Sequence, residues 1–152
     1  MVKSFKGVQK VKEKPSIARP VTVQDYMTKK LVTFRADQTM DQVLDTLLAK
    51  NISGGPVVDE HNNLIGIISE GDCLKEVVKG KYNDTPTLSG LVREHMATDV
   101  KFVSPDVNIF ELAQMFLNMR LRRFPVIKDG KLVGQISQKD VMRAVITLHA
   151  GG

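Results

Sequence analysis

Apolar positions along this chain follow two rhythms, and the pair of rhythms occurs twice. From Met40 they recur at Val43, Leu44, Leu47 and Leu48, the i, i+3, i+4, i+7, i+8 spacing of one helix face. Thr39 and Gln42, three apart, form a capping box ahead of that face. Residues 56–58 and 64–68 follow as short runs rich in Val and Ile, separated by a polar stretch from Asp59 to Asn63, a pattern that predicts a β-hairpin. A second helix is expected over about 70–78. The order then repeats, with Asn108 and Glu111 ahead of Ile109, Leu112, Ala113, Phe116 and Leu117. A hairpin follows over 125–127 and 132–136 with Asp129 and Gly130 at its turn, then a helix over 138–147. Short extended segments near 31–34 and 100–103 precede the two copies, so each unit reads strand, helix, strand, strand, helix.

The repetition extends to individual residues. A shift of 69 places Val23 on Val92, Met27 on Met96, Asp37 on Asp106, Leu48 on Leu117 and Pro56 on Pro125. A shift of 68 then places Leu64 on Leu132, Gly66 on Gly134, Ser69 on Ser137, Asp72 on Asp140 and Val77 on Val145. The slip falls in the hairpin turn, where a change of length costs least. A unit of roughly 55 residues is marginal alone, so the two copies are expected to bury their sheets against each other. The expected fold class is α+β: two tandem β-α-β-β-α units packed sheet to sheet into one pseudo-twofold body. The first unit spans 21–80 and the second 92–148, with a linker at 81–91 and tails at 1–20 and 149–152.

Composition narrows the function classes. The chain has 152 residues, 42% of them apolar, and no apolar run approaching the roughly 20 residues of a membrane helix. No apolar stretch follows the N-terminal lysines, so a secretory signal is not expected. One cysteine allows no internal disulfide, which points to a reducing, cytoplasmic setting. The net charge of +5 resides entirely in residues 1–20, where six bases face one acid, Glu13. That tail reads first as a solubilising extension, with an electrostatic arm toward nucleic acid or a membrane surface as the alternative.

Candidate chemistry sits where each hairpin gives way to its helix. Gly66 to Asp72 and Gly134 to Asp140 both read G-x-x-S-x-x-D. A serine with an acid three residues later can serve only as a helix cap. The same geometry also offers N–H groups to an anion and a carboxylate to sugar hydroxyls. With the Tyr26-Met27-Thr28 and His95-Met96-Ala97 openings and the Gly54-Gly55-Pro56 and Arg123-Phe124-Pro125 strands, this duplicated order resembles the tandem CBS-domain proteins, named for cystathionine β-synthase, over about residues 20–148. The resemblance implies a disc-like body with two clefts, dimerisation, and binding of an adenosyl ligand: AMP, ADP or ATP, with NAD or S-adenosylmethionine as variants. It places ribose on Ser69 and Asp72 in one cleft and on Ser137 and Asp140 in the other. Adenine would pack on Leu31, Val32, Ile52 and Ser53, or on Val100, Lys101 and Leu121.

The copies differ most where a phosphate would lie. Arg122 and Arg123 of the second stand against Ser53 and Gly54 of the first, and Lys139 against Gly71. Arginine donates in a planar fork matched to phosphate, so Arg122 and Arg123 are the expected phosphate ligands. Cys73 reads as a buried structural thiol. His61, His95 and His149 are scattered without ligand spacing, so no metal site is expected, although magnesium would accompany ATP. Phe110, Met115 and Met119 make a candidate dimer surface. No nucleophile–base pair or carboxylate dyad stands out, so no catalytic residue and no required cofactor are assigned. The function expected is a regulatory module that senses an adenine nucleotide and signals to an effector protein, with a ligand-free dimerisation scaffold as the alternative.

Overall fold

The computed structural model describes residues 20–81 and 88–151. The elements run α1 (Val23–Tyr26), α2 (Met40–Lys50), β1 (Gly54–Val58), β2 (Leu64–Ser69), α3 (Glu70–Lys81), α4 (Val92–His95), α5 (Ile109–Met119), β3 (Arg123–Lys128), β4 (Lys131–Ser137) and α6 (Gln138–Gly151). Residues 1–19 of the expected 1–20 tail, residues 82–87 of the expected linker, and Gly152 lie outside the described residues.

Each unit has an antiparallel hairpin, β1–β2 or β3–β4, whose apolar side faces two helices. In the first, Met40, Val43 and Leu47 of α2 pack with Val57, Ile68 and Cys73; in the second, Ile109, Leu112 and Phe116 of α5 pack with Val126, Ile136 and Ala144. Thr39 and Gln42 make the capping box, with Gln42 N–H donating to Thr39 Oγ1 at 3.2 Å and Thr39 N–H to Gln42 Oε1 at 3.0 Å. Asn108 caps α5 differently, accepting from Phe110 N–H at 2.7 Å without engaging Glu111. The extended segment leading each unit is reduced to one parallel bridge, Phe34 with Val57 and Val103 with Val126. α6 continues to Gly151, past the end expected near Thr147.

The two cores solve the same packing problem with the large side chain on opposite strands. The first unit has Phe34 on its leading segment and Gly55 on β1; at the equivalent positions the second has Val103 and Phe124. A Cβ on Gly55 would lie 2.9 Å from the Phe34 ring, so a larger residue there is incompatible with the aromatic. In the second unit Phe124 stacks obliquely on Phe116 with ring centroids 4.8 Å apart.

The short leading helices are exchanged between the units. Val23 of α1 is buried in the second core, and Val92 of α4 in the first. Matching hydrogen bonds hold them: Val23 N–H to Val107 O and Gln24 N–H to Pro105 O on one side, Val92 N–H to Gln38 O and Arg93 N–H to Ala36 O on the other. Beyond each helix the chain pairs with the last strand of its host hairpin, Thr28 with Gln135 and Ala97 with Ile67. The approach is close, for a Cβ on Gly66 would meet Met96 Sδ at 2.6 Å and one on Gly134 would meet Met27 Sδ at 2.7 Å. The Met and Gly matched by the repeat are thus partners across units. The hairpins also meet directly, where Leu132 N–H donates to Asn62 O at 3.0 Å and Asn62 Nδ2 to Leu132 O at 2.8 Å. Exchanged helices and joined hairpins make a single body of the two units.

Candidate functional site

Strand alternation decides which side chains face the gap between the hairpins. With Val57, Ile68, Phe124, Val126 and Ile136 turned into the cores, Gly54, Ile67 and Ser69 of one sheet and Arg123, Pro125, Gln135 and Ser137 of the other look inward. A cleft of about 300 Å³ opens there. From the first unit it takes Ser53, Gly54, Ile67 and Ser69; from the second, Val100, Lys101, Leu121, Arg122, Arg123 and Pro125. Its floor is largely apolar and its rim cationic, with Asp99 the one acid among its lining residues.

Ser69 lies at the strand-to-helix junction, and its N–H and Oγ–H both donate to Asp72 Oδ2, at 2.8 and 3.1 Å. The carboxylate therefore stands directly behind the hydroxyl that lines the cleft. Ser137 and Asp140 repeat this at 2.8 and 3.0 Å, and Asp140 N–H returns a bond to Ser137 Oγ at 3.3 Å. They face a second cavity of about 220 Å³ that Thr28, Arg123, Gln135, Lys139 and Arg143 complete. The two carboxylates differ in one respect. Asp140 is 7% exposed and its Oδ1 is held by Arg143 Nη1, whereas Asp72 is half-buried and in no ion pair among the described residues.

Of the residues expected from sequence, Ser53, Ser69, Val100, Lys101, Leu121, Arg122 and Arg123 meet in the first cleft, and Arg123, Ser137, Lys139 and Asp140 in the second. The serine of one repeat thus shares its cleft with the adenine-side segment of the other. Val32 and Ile52 instead pack against the first core, and Leu31 lines neither cavity. Gln135, Asp99 and Arg143 were not anticipated. Gln135 was discoverable in principle, because it aligns with Ile67, while the other two had no signal beyond their charge. Cys73 is 3% exposed, and burial, reinforced by the neighbouring Asp72 charge, pushes its thiol up, which keeps it protonated at neutral pH. Among the described residues no group of His, Cys, Asp and Glu has the arrangement of a metal site, and no helix is long and apolar enough to cross a membrane.

The CBS domain family matches the chain twice, at residues 23–79 and 92–147. This chain belongs to the CBS-domain family. In fold it is similar to the CBS-pair protein CBSX2 of Arabidopsis thaliana solved in complex with AMP, with a TM-score of 0.72 and 29% identity over 84% of this chain and 98% of that one. In sequence it is similar to the chloroplastic CBS domain-containing protein CBSX1 of the same plant, 29% identical over 86% of this chain and 66% of the relative. It is also 26% identical, over 80% of its length, to an uncharacterised protein of Methanocaldococcus jannaschii, of which it spans 41%.

Proposed function

We propose that this CBS pair is a regulatory module that binds an adenosyl nucleotide of the AMP, ADP or ATP type without turning it over, and passes occupancy to an effector protein. The observation that carries the proposal is the first cleft itself, which sets the Ser69–Asp72 pair of one unit against Lys101, Arg122 and Arg123 of the other across an apolar floor. That is the complement of a nucleoside monophosphate: an apolar slot for a base, hydroxyl and carboxylate for ribose, and guanidinium groups for phosphate. The AMP complex of CBSX2 supports the same ligand class. A lone buried thiol accords with the reducing, cytoplasmic setting we assign to it.

Calorimetry with AMP, ADP, ATP, NAD and S-adenosylmethionine tests the reading on folded, nucleotide-free protein, and no heat with any of the five overturns it. Asp72→Ala should weaken AMP and adenosine alike. Arg122→Ala combined with Arg123→Ala should weaken AMP about 10- to 150-fold for each charge-assisted bond lost, with little effect on adenosine. A purely structural Ser69–Asp72 cap predicts lowered melting temperature with unchanged affinity, so both quantities are measured on the same Asp72→Ala sample.

A scaffold role is favoured by a different observation. Exposed apolar residues recur at matched helix positions in both units: Leu48 and Leu117, Leu74 and Met142, Val77 and Val145, Val78 and Ile146. We assign these ridges to contact with a second copy of the chain, in a homodimer that accompanies nucleotide binding.

A further inference from the structure

The two clefts share one of their cations: Lys101 and Arg122 line only the first and Lys139 and Arg143 only the second, whereas Arg123 lines both. Gly54 and Arg123 are equivalent positions of the repeat, each opening a hairpin and each paired across it with the junction serine, Gly54 with Ser69 and Arg123 with Ser137. The first unit has no room for a side chain there, because a Cβ on Gly54 would stand 2.6 Å from the Ile68 carbonyl oxygen and 3.0 Å from Ser69 Cα, both backbone atoms. Any cation at this level of the gap must come from the second unit. Arg123 lines the first cleft with Ser69 and the second with Ser137, and among the described residues no carboxylate forms an ion pair with its guanidinium.

Building on the nucleotide reading above, we infer that Arg123 is one phosphate-binding group shared by both clefts, so that an anionic nucleotide in one weakens binding of a second in the other. A guanidinium that forks onto one phosphate is not available to another, and the second ligand also meets the charge of the first. The first cleft fills first. Its carboxylate, Asp72, is half-buried and in no ion pair among the described residues, whereas Asp140 is 7% exposed and its Oδ1 already accepts from Arg143, which leaves it less capacity for a ribose hydroxyl. The coupling is selective for charge. A neutral adenosyl compound makes no demand on Arg123, so its two binding steps differ only by the intrinsic difference between the clefts.

The test compares AMP with adenosine, each titrated into the full chain by calorimetry, on the parent and on Arg123→Gln with its melting temperature checked. In the parent, the ratio between first and second dissociation constants should be about 10- to 150-fold larger for AMP than for adenosine, the loss expected from one charge-assisted bond. In Arg123→Gln that excess should shrink to what the repulsion between the two ligands alone supplies, chiefly because the first AMP step weakens. Equal ratios for AMP and adenosine in the parent overturn the shared cation, as does a single step for both ligands, which would mean that the second cleft excludes adenosyl groups on other grounds. An excess undiminished in Arg123→Gln also overturns it. Failure of both ligands to bind folded protein would instead overturn the nucleotide reading itself.

Discussion

The same small substitution should have opposite effects at two glycines of the G-x-x-S-x-x-D segments. At Gly134 a Cβ would lie 2.9 Å from the Thr28 carbonyl oxygen as well as 2.7 Å from Met27 Sδ. The thioether can swing away, but the carbonyl is fixed by its bond from Gln135 N–H at 2.9 Å. Gly134→Ala should therefore destabilise by about 1–3 kcal/mol, the usual range for overpacking. At Gly71, in the first turn of α3, the nearest neighbour of a new Cβ is Ser69 Oγ at an ordinary 3.6 Å. Gly71→Ala should stabilise by about 0.5–1 kcal/mol through helix propensity alone. Urea denaturation of the two variants checks both signs. A third residue adds a pH dependence. Asp59, at the β1–β2 turn, accepts from Asn63 Nδ2 and from the Asn63 and His61 N–H groups, each at 2.9 Å, and these bonds, the Asn63 side chain first, lower its carboxyl from 3.8 to about 2. A carboxyl lowered on folding contributes stability above its unfolded value and loses it as pH falls through the folded one. The melting-temperature advantage over Asp59→Asn should accordingly be full at pH 5 and largely lost by pH 2.

At the scale of elements, the helix periodicity, the Thr39–Gln42 box and both hairpins were legible because each is encoded by residues close in sequence. The exchange of α1 and α4 was not. Tyr26-Met27-Thr28 and His95-Met96-Ala97 bear nearly the same local pattern, and both units offer the same glycine to receive them, so nothing local distinguishes packing at home from packing abroad. A distinguishing contact exists only in three dimensions. Glu76 of α3, 5% exposed, lies 3.4 Å from His95 Nδ1 at the end of α4, and His95 Nε2 is 3.2 Å from Ser89 O. Lys79, largely exposed, gives that carboxylate a second basic neighbour at 3.3 Å. The ring ties the exchanged helix to the first unit. His95→Ala should leave a buried carboxylate with less compensation and cost roughly 1–3 kcal/mol, while Lys79→Ala, at a solvated site, should cost under about 1 kcal/mol. Hydrogen exchange should locate the loss: faster exchange at Met96 and Ala97, whose N–H groups bond Val92 O and Ile67 O, with the β3–β4 amides unchanged. Equal effects of the two substitutions would remove the pairing from the account of the exchange.

Over the whole molecule, the family resemblance implied two clefts, but the repeat does not tell how their walls combine. Matching residues between copies identifies equivalents, whereas a cleft on a pseudo-twofold is built from non-equivalents, which is why Ser69 meets Lys101 and Leu121. The same distinction governs the dimer surface. Of the residues first expected there, Met115 is half-buried against the second core, while Phe110 and Met119 remain exposed. Leu48 and Leu117 belong to the helix stripes yet are 72% and 75% exposed, because the last stripe position of α2 and α5 turns past the edge of each core. With Val78 and Ile146 they form ridges that occur on both units, and apolar positions exposed at both members of an internal repeat suit a symmetric contact, in which the same patch faces itself. If the ridges join two copies, Val78→Glu with Ile146→Glu should leave the unfolding free energy of dilute protein within about 0.5 kcal/mol of the parent, since neither side chain supports a core. The same pair should shift sedimentation at tens of micromolar from twice 16.9 kDa to 16.9 kDa. A parent that sediments only at 16.9 kDa overturns the dimer, and a double variant that stays at twice that mass moves the contact elsewhere, with Phe110 and Met119 the next positions to charge.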